Sequence, residues 1–149
     1  MTQPTRPTPP AAERQSATPQ HGVLLFSHGS RDPLWRQPME AVQTRIQSDR
    51  PDLLVGSAYL ELCTPDLPTA TEQLVRQGAQ RITIVPMFLG TGRHAREDLP
   101  QLVTELRRTY AHVDFDVQQA IGEDPRMTAL MAQIASEPPV SPQSPHSLR

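Results

Sequence analysis

The feature that most constrains this chain is a switch of hydrophobic period, repeated four times. 22-GVLLFS-27 is a short continuous apolar run, and Met39, Val42 and Ile46 then recur at helical spacing in the segment to Ser48. 53-LLVGSAYLEL-62 is a second run, followed by Leu67, Ala70, Leu74 and Val75 at helical spacing up to Gly78. 81-RITIVPMFL-89 is a third, followed by Leu99, Leu102, Val103 and Leu106. 112-HVDFDVQQA-120 alternates polar and apolar residues, as an edge strand does, and Met127, Leu130, Met131 and Ile134 close the series. Unbroken apolar runs mark strands buried on both faces, and spacings of three and four mark amphipathic helices. The order β-α-β-α-β-α-β-α predicts a doubly wound α/β fold, with a mostly parallel four-stranded sheet and helices on both faces.

The two ends do not join this pattern. Residues 1–20 and 137–149 hold nine of the 17 prolines, are polar and lack apolar periodicity. They are expected to be disordered Pro-rich tails around a single domain over residues 21–136.

Composition removes several classes of function. With 14 basic and 16 acidic residues the net charge is −2, which gives no footprint for nucleic-acid binding. No apolar run approaches the roughly 20 residues of a membrane span. The segment 1-MTQPTRPTPPAAERQ-15 has no apolar stretch of signal-peptide type. The single cysteine, Cys63, forms no internal disulfide and is expected to be a small buried residue. A cytoplasmic location follows as the expectation. All 14 basic residues are arginine, so neither a phosphate-loop lysine nor a Schiff-base lysine is available. Recognition of anions falls to the planar guanidinium, which suits carboxylates and phosphates.

In open α/β sheets ligands bind beyond the carboxyl ends of the strands. His28 follows the first strand in 23-VLLFSHGSR-31, Glu61 lies at the end of the second, and His94 lies in 90-GTGRHARED-98 after the third. Three chemical groups from three strands thus converge on one sheet edge. Neutral imidazole ligates divalent metals or accepts protons. Glu61 reads as a proton acceptor, as a third ligand, or as the partner of a neighbouring arginine. Gly90 and Gly92 are expected to keep the loop compact and to let the backbone approach a bulky ligand. Arg31 and Arg93 are candidates for holding an anionic substrate, whereas Arg96 reads equally as a solvated surface residue. Asp98-Leu99-Pro100 has the form of a helix start, with Asp98 as the cap and Pro100 in the first turn. His21, His112 and His146 have no partner in the pattern. Two imidazoles and a carboxylate suit iron, cobalt, nickel or zinc.

The stretches 24-LLFSHGSRDP-33, 57-SAYLELCTPDL-67, 81-RITIVPMFLGTGRHAREDLP-100 and, less closely, 121-IGEDPRM-127 resemble the short sirohydrochlorin chelatases, a branch of the class II tetrapyrrole chelatases. The resemblance implies the chelatase fold, which is similar to flavodoxin. It implies ATP-independent insertion of Co²⁺ or Fe²⁺, with Ni²⁺ also chemically suited, into sirohydrochlorin for cobalamin or siroheme. It places the two family histidines on His28 and His94, as metal-binding and catalytic groups, and the active-site glutamate on Glu61. No permanently bound cofactor is implied. Long members carry two such domains with the site in the cleft between them, so a single-domain chain is expected to form a homodimer that rebuilds the cleft, the alternative being a more open site.

Two other readings use the same residues. A non-catalytic carrier of metal or tetrapyrrole needs similar ligands. A histidine phosphatase also places a histidine after a first strand, but it carries an arginine directly before that histidine, where Ser27 stands here.

Overall fold

β1 (His21–Ser27) lies inside the sheet because both of its faces are apolar. Leu24 and Phe26 point to one side, and Val23 and Leu25 to the other. The structure is a computed structural model that describes residues 18–138. β1 pairs in parallel with β2 (Leu54–Tyr59) on one flank and with β3 (Arg81–Pro86) on the other, and β3 pairs in parallel with β4 (Asp114–Val117). The order β2-β1-β3-β4 makes the alternating segment 112–120 an edge, as its pattern predicts. The strands are shorter than the apolar runs: β2 stops at Tyr59 and β3 at Pro86.

Parallel neighbours need crossovers, which the helices supply. α2 (Leu67–Arg76) and α3 (Arg93–Thr109) cover one face, where Leu67, Leu74, Leu99 and Val103 meet Leu24, Phe26, Ile82 and Ile84. α1 (Gln37–Asp49) covers the other, where Met39 and Ile46 meet Leu25 and Val85. Asp66 caps α2 by accepting the Thr69 N–H at 2.9 Å. That bond holds the Asp66 carboxyl below its ordinary range.

Three expectations change. The first concerns α3, which starts at Arg93 with Gly92 as its cap, so Asp98 caps nothing and Pro100 lies inside the helix. Burial of Ala95 on the same stripe as Leu99, Val103 and Leu106 extends the helix backwards past the local start signal. The second concerns α4 (Pro125–Ser136), whose apolar stripe buries no residue: Leu130 is 49 % and Ile134 62 % exposed. The third is Cys63, which is only partly buried.

The expected tails lie outside the described residues for 1–17 and 139–149. Gln20 is tied to the sheet edge, since its carbonyl accepts the Gln80 N–H at 2.9 Å and its side chain donates to Asp52 O at 2.8 Å. No helix among the described residues is long and apolar enough to cross a membrane.

The topology decides where a ligand can sit. From β1 the chain moves outward to β2, then crosses back over β1 to β3. The loops leaving β1 and β3 therefore diverge, and a crevice opens between them at the carboxyl edge.

Candidate active site

His28 is the first residue beyond β1, and it is exposed. The β1–β2 ladder continues past the strands into this region. Leu60 N–H donates to Ser27 O at 2.8 Å, and Glu61 N–H donates to His28 O at 3.0 Å. A backbone bond therefore joins His28 to Glu61 although the residues are far apart in sequence.

Gly29 makes that approach possible. Its φ is +99°, and a Cβ there would lie 1.8 Å from the Glu61 carbonyl oxygen. Only glycine tolerates both conditions. The rest of the motif turns the chain away: Ser30 Oγ accepts the Asp32 N–H at 3.1 Å, and Asp32 caps the short 3₁₀ turn Pro33–Arg36 through the Leu34 N–H at 2.9 Å.

The third strand exit brings α3. His94 lies in its first turn, and Asp98 lies one turn further on. His28, Glu61, His94 and Asp98 line one cavity of about 390 Å³, together with Leu60, Gly92, Arg93 and Ala95. A larger groove of about 870 Å³ runs along the β4 side of α3, contains no histidine, and shares only Ala95 with that cavity.

The residues singled out in the sequence thus divide into two groups. His28, Glu61, His94, Arg93 and Gly92 come together. Arg31 is exposed but does not line the cavity, nor does Gly90. Neither Gly90 nor Gly92 would meet any atom within 4 Å if it carried a Cβ, so the protein's own packing does not demand these two glycines. Arg93 Nε donates to Glu97 Oε1 at 2.9 Å in an exposed pair. Among the described residues Glu61 has no salt-bridge partner, and no three His, Cys, Asp or Glu side chains stand close enough to hold a metal ion together. The site is an open set of donors around a cavity.

Asp98 is the cavity residue that the sequence reading assigned elsewhere. Its position four residues after His94 is the signal that finds it, provided both are on the same helix. Tyr59, at the end of β2, does not line this cavity; its ring meets Trp35 edge-on, with centroids 6.2 Å apart. Burial pushes its hydroxyl above the ordinary value.

Residues 22–137 match the CbiX family model. The sirohydrochlorin cobaltochelatase of Methanopyrus kandleri is 27 % identical over 129 residues, covering 73 % of this chain and 90 % of that protein. The sirohydrochlorin ferrochelatase of Priestia megaterium is 29 % identical over 115 residues, and the match covers 77 % of this chain but only 43 % of that protein. The solved CbiX protein from Marinobacter aquaeolei VT8 superposes with a TM-score of 0.67 at 30 % identity, over 77 % of this chain and 93 % of that one. The matched span contains all four strands but for His21, the first residue of β1, and every residue lining the cavity, and on that extent the chain belongs to the CbiX family.

Proposed function

We propose that this protein inserts Co²⁺ or Fe²⁺ into sirohydrochlorin, without ATP, in the biosynthesis of cobalamin or siroheme. The observation that carries the reading is the meeting of His28, Glu61 and His94, from three separate strand exits, around one cavity at the sheet's switch point. The relatives' activities support it: one is named for cobalt and the other for iron.

Metallation exchanges two pyrrole N–H protons of the macrocycle for one M²⁺. The ion must lose water as the ring nitrogens take it up, and the two protons must leave. Imidazole nitrogens of His28 and His94 offer lone pairs for either task, and they are ligands of the right softness for both metals. The Glu61 carboxylate supplies the further charge or accepts a proton. Its backbone bond to His28 keeps the two on one side of the cavity. Asp98, one turn after His94 on α3, adds a second carboxylate. Arg93, freed from its exposed and therefore weak pair with Glu97, binds a peripheral carboxylate of the ring, and Arg31 binds another from outside the cavity. The absence of side chains at Gly90 and Gly92 leaves room for the flat ring at the mouth of α3.

The proposal includes a homodimer. The chain spans less than half of the Priestia megaterium ferrochelatase, and a second copy would supply the wall facing an otherwise open cavity. It also places the reaction in a reducing cytoplasm, where a lone free cysteine is at home.

The test is an anaerobic absorbance assay with sirohydrochlorin and Co²⁺ or Fe²⁺, run beside His28→Ala and His94→Ala. Multiple turnovers of the free macrocycle, reduced about 100-fold or more by either substitution, are expected. Stoichiometric binding without turnover would make the protein a carrier.

A further inference from the structure

An exposed histidine at the end of a strand is free to change rotamer. His28 is not free on one side. The Phe88 ring lies against its imidazole, with centroids 4.4 Å apart and planes 34° apart. Phe88 is itself fixed. It is 2 % exposed, and it meets Phe26 edge-on at 5.9 Å and 66°. The backbone is clamped just before it and at it: the N–H of the preceding Met87 donates to Phe26 O at 2.7 Å, and Gly122 N–H donates to Phe88 O at 2.9 Å.

The second clamp needs glycine. At residue 122 a Cβ would lie 2.0 Å from Leu89 O and 2.4 Å from Leu89 Cα. The short 3₁₀ turn Ile121–Glu123 therefore rests directly on the backbone beside Phe88. This turn does not line the cavity, yet a chain of contacts runs from it through Phe88 to the His28 ring.

We infer that Phe88, seated by Gly122, is a positioning residue that sets the plane of the His28 imidazole. Stacking on the ring face leaves both nitrogens on the ring edge free and restricts rotation about the bond that aims them. A metal-binding nitrogen works only when its lone pair is aimed within about 10–20°. The inference rests on the assignment of His28 as a metal-handling group, but its tests do not all require turnover.

The full-length chain is compared with Phe88→Leu, Phe88→Tyr and Gly122→Ala. Phe115→Leu serves as the control, because it is a matched loss from the same core at a residue 6 % exposed. All are measured at a temperature where each is folded by circular dichroism. Three readouts are taken: the ring-proton NMR shifts of His28, which the Phe88 face displaces; the Co²⁺ dissociation constant from calorimetry; and kcat and KM for sirohydrochlorin.

Phe88→Leu is expected to abolish the ring-current displacement. It is also expected to weaken Co²⁺ binding and lower kcat by about tenfold, as loss of a group orienting a metal-bound histidine does, with KM within about twofold. Phe88→Tyr is expected to restore all three, Phe115→Leu to change none, and Gly122→Ala to shift the His28 resonances with Phe88 still present. Equal Co²⁺ affinity and kcat in Phe88→Leu and Phe115→Leu, or unchanged His28 shifts in Phe88→Leu, would overturn the inference. If the unaltered chain shows no turnover, the chelatase reading fails, and the NMR and Co²⁺ measurements still decide the role of Phe88.

Discussion

Gly29 and Gly78 form a natural pair for measuring what holds the cavity together. Their φ angles are nearly equal, +99° and +101°, but a Cβ at Gly78 would meet nothing within 4 Å, whereas one at Gly29 would lie 1.8 Å from Glu61 O. Gly78→Ala isolates the conformational cost of a left-handed backbone, about 1–2 kcal/mol. Gly29→Ala adds a displacement of the Glu61 backbone of about 1 Å or more, because real Cβ atoms do not approach within 3.0 Å. That displacement breaks the Glu61-to-His28 and Leu60-to-Ser27 bonds, each contributing about 1 kcal/mol. The expected cost of Gly29→Ala is therefore about 3–4 kcal/mol. At about 4 °C per kcal/mol for a chain of this size, the melting temperature falls by about 12–16 °C, against about 4–8 °C for Gly78→Ala. The same displacement separates Glu61 from His28, and a misplacement of about 1 Å costs on the order of 100-fold in rate. Thermal melts by circular dichroism and the insertion assay, run well below both midpoints, measure the two effects. Equal melting temperatures for the two variants, or normal turnover by Gly29→Ala, would refute the claim that this close approach organises the site.

Three further outcomes follow from particular contacts. Pro100→Ala is expected to stabilise the chain by about 1–3 kcal/mol, since proline inside a helix removes a backbone bond and clashes with the preceding turn; a loss of stability in a denaturant titration would instead put the helix start at Leu99. Asp124 caps α4 and pairs with Arg126, which together hold its carboxyl at about 2, below the ordinary 3.8. The folded state thus binds this proton less readily than the unfolded state, so the stabilisation is complete above about pH 4 and is lost as pH falls toward 2. Asp124→Asn is expected to flatten that acid limb in melts between pH 4.5 and 2, and an unchanged limb would contradict the assignment. Arg93→Gln is expected to leave stability within about 0.5 kcal/mol, because its pair with Glu97 is exposed, and to raise KM for the macrocycle; an unchanged KM removes Arg93 from substrate binding.

The parallel α/β order was legible in the chain because burial on both faces writes an unbroken apolar run, as in Leu24, Leu25 and Phe26 of β1. The convergence of His28, Glu61 and His94 was legible for the same reason, since each follows a strand and parallel strands end at one edge. The start of α3 was not. Asp98-Leu99-Pro100 carries a genuine local start signal, but Ala95 packs into the core one turn earlier, and that burial outweighs a cap. The mistaken boundary in turn hid Asp98, whose place beside His94 depends on both lying on one helix.

What the sequence by itself determined is therefore the set of elements, their parallel order and the three residues carried to the sheet's edge, because hydrophobic period and chain direction are local properties. The tertiary structure alone decided the contacts that cross between distant segments. It brought Gly29 against the Glu61 carbonyl, Phe88 onto His28 and Gly122 onto Leu89, and it left Arg31 outside the cavity. Those contacts depend on the separation and register of packed backbones, which no spacing along one segment encodes.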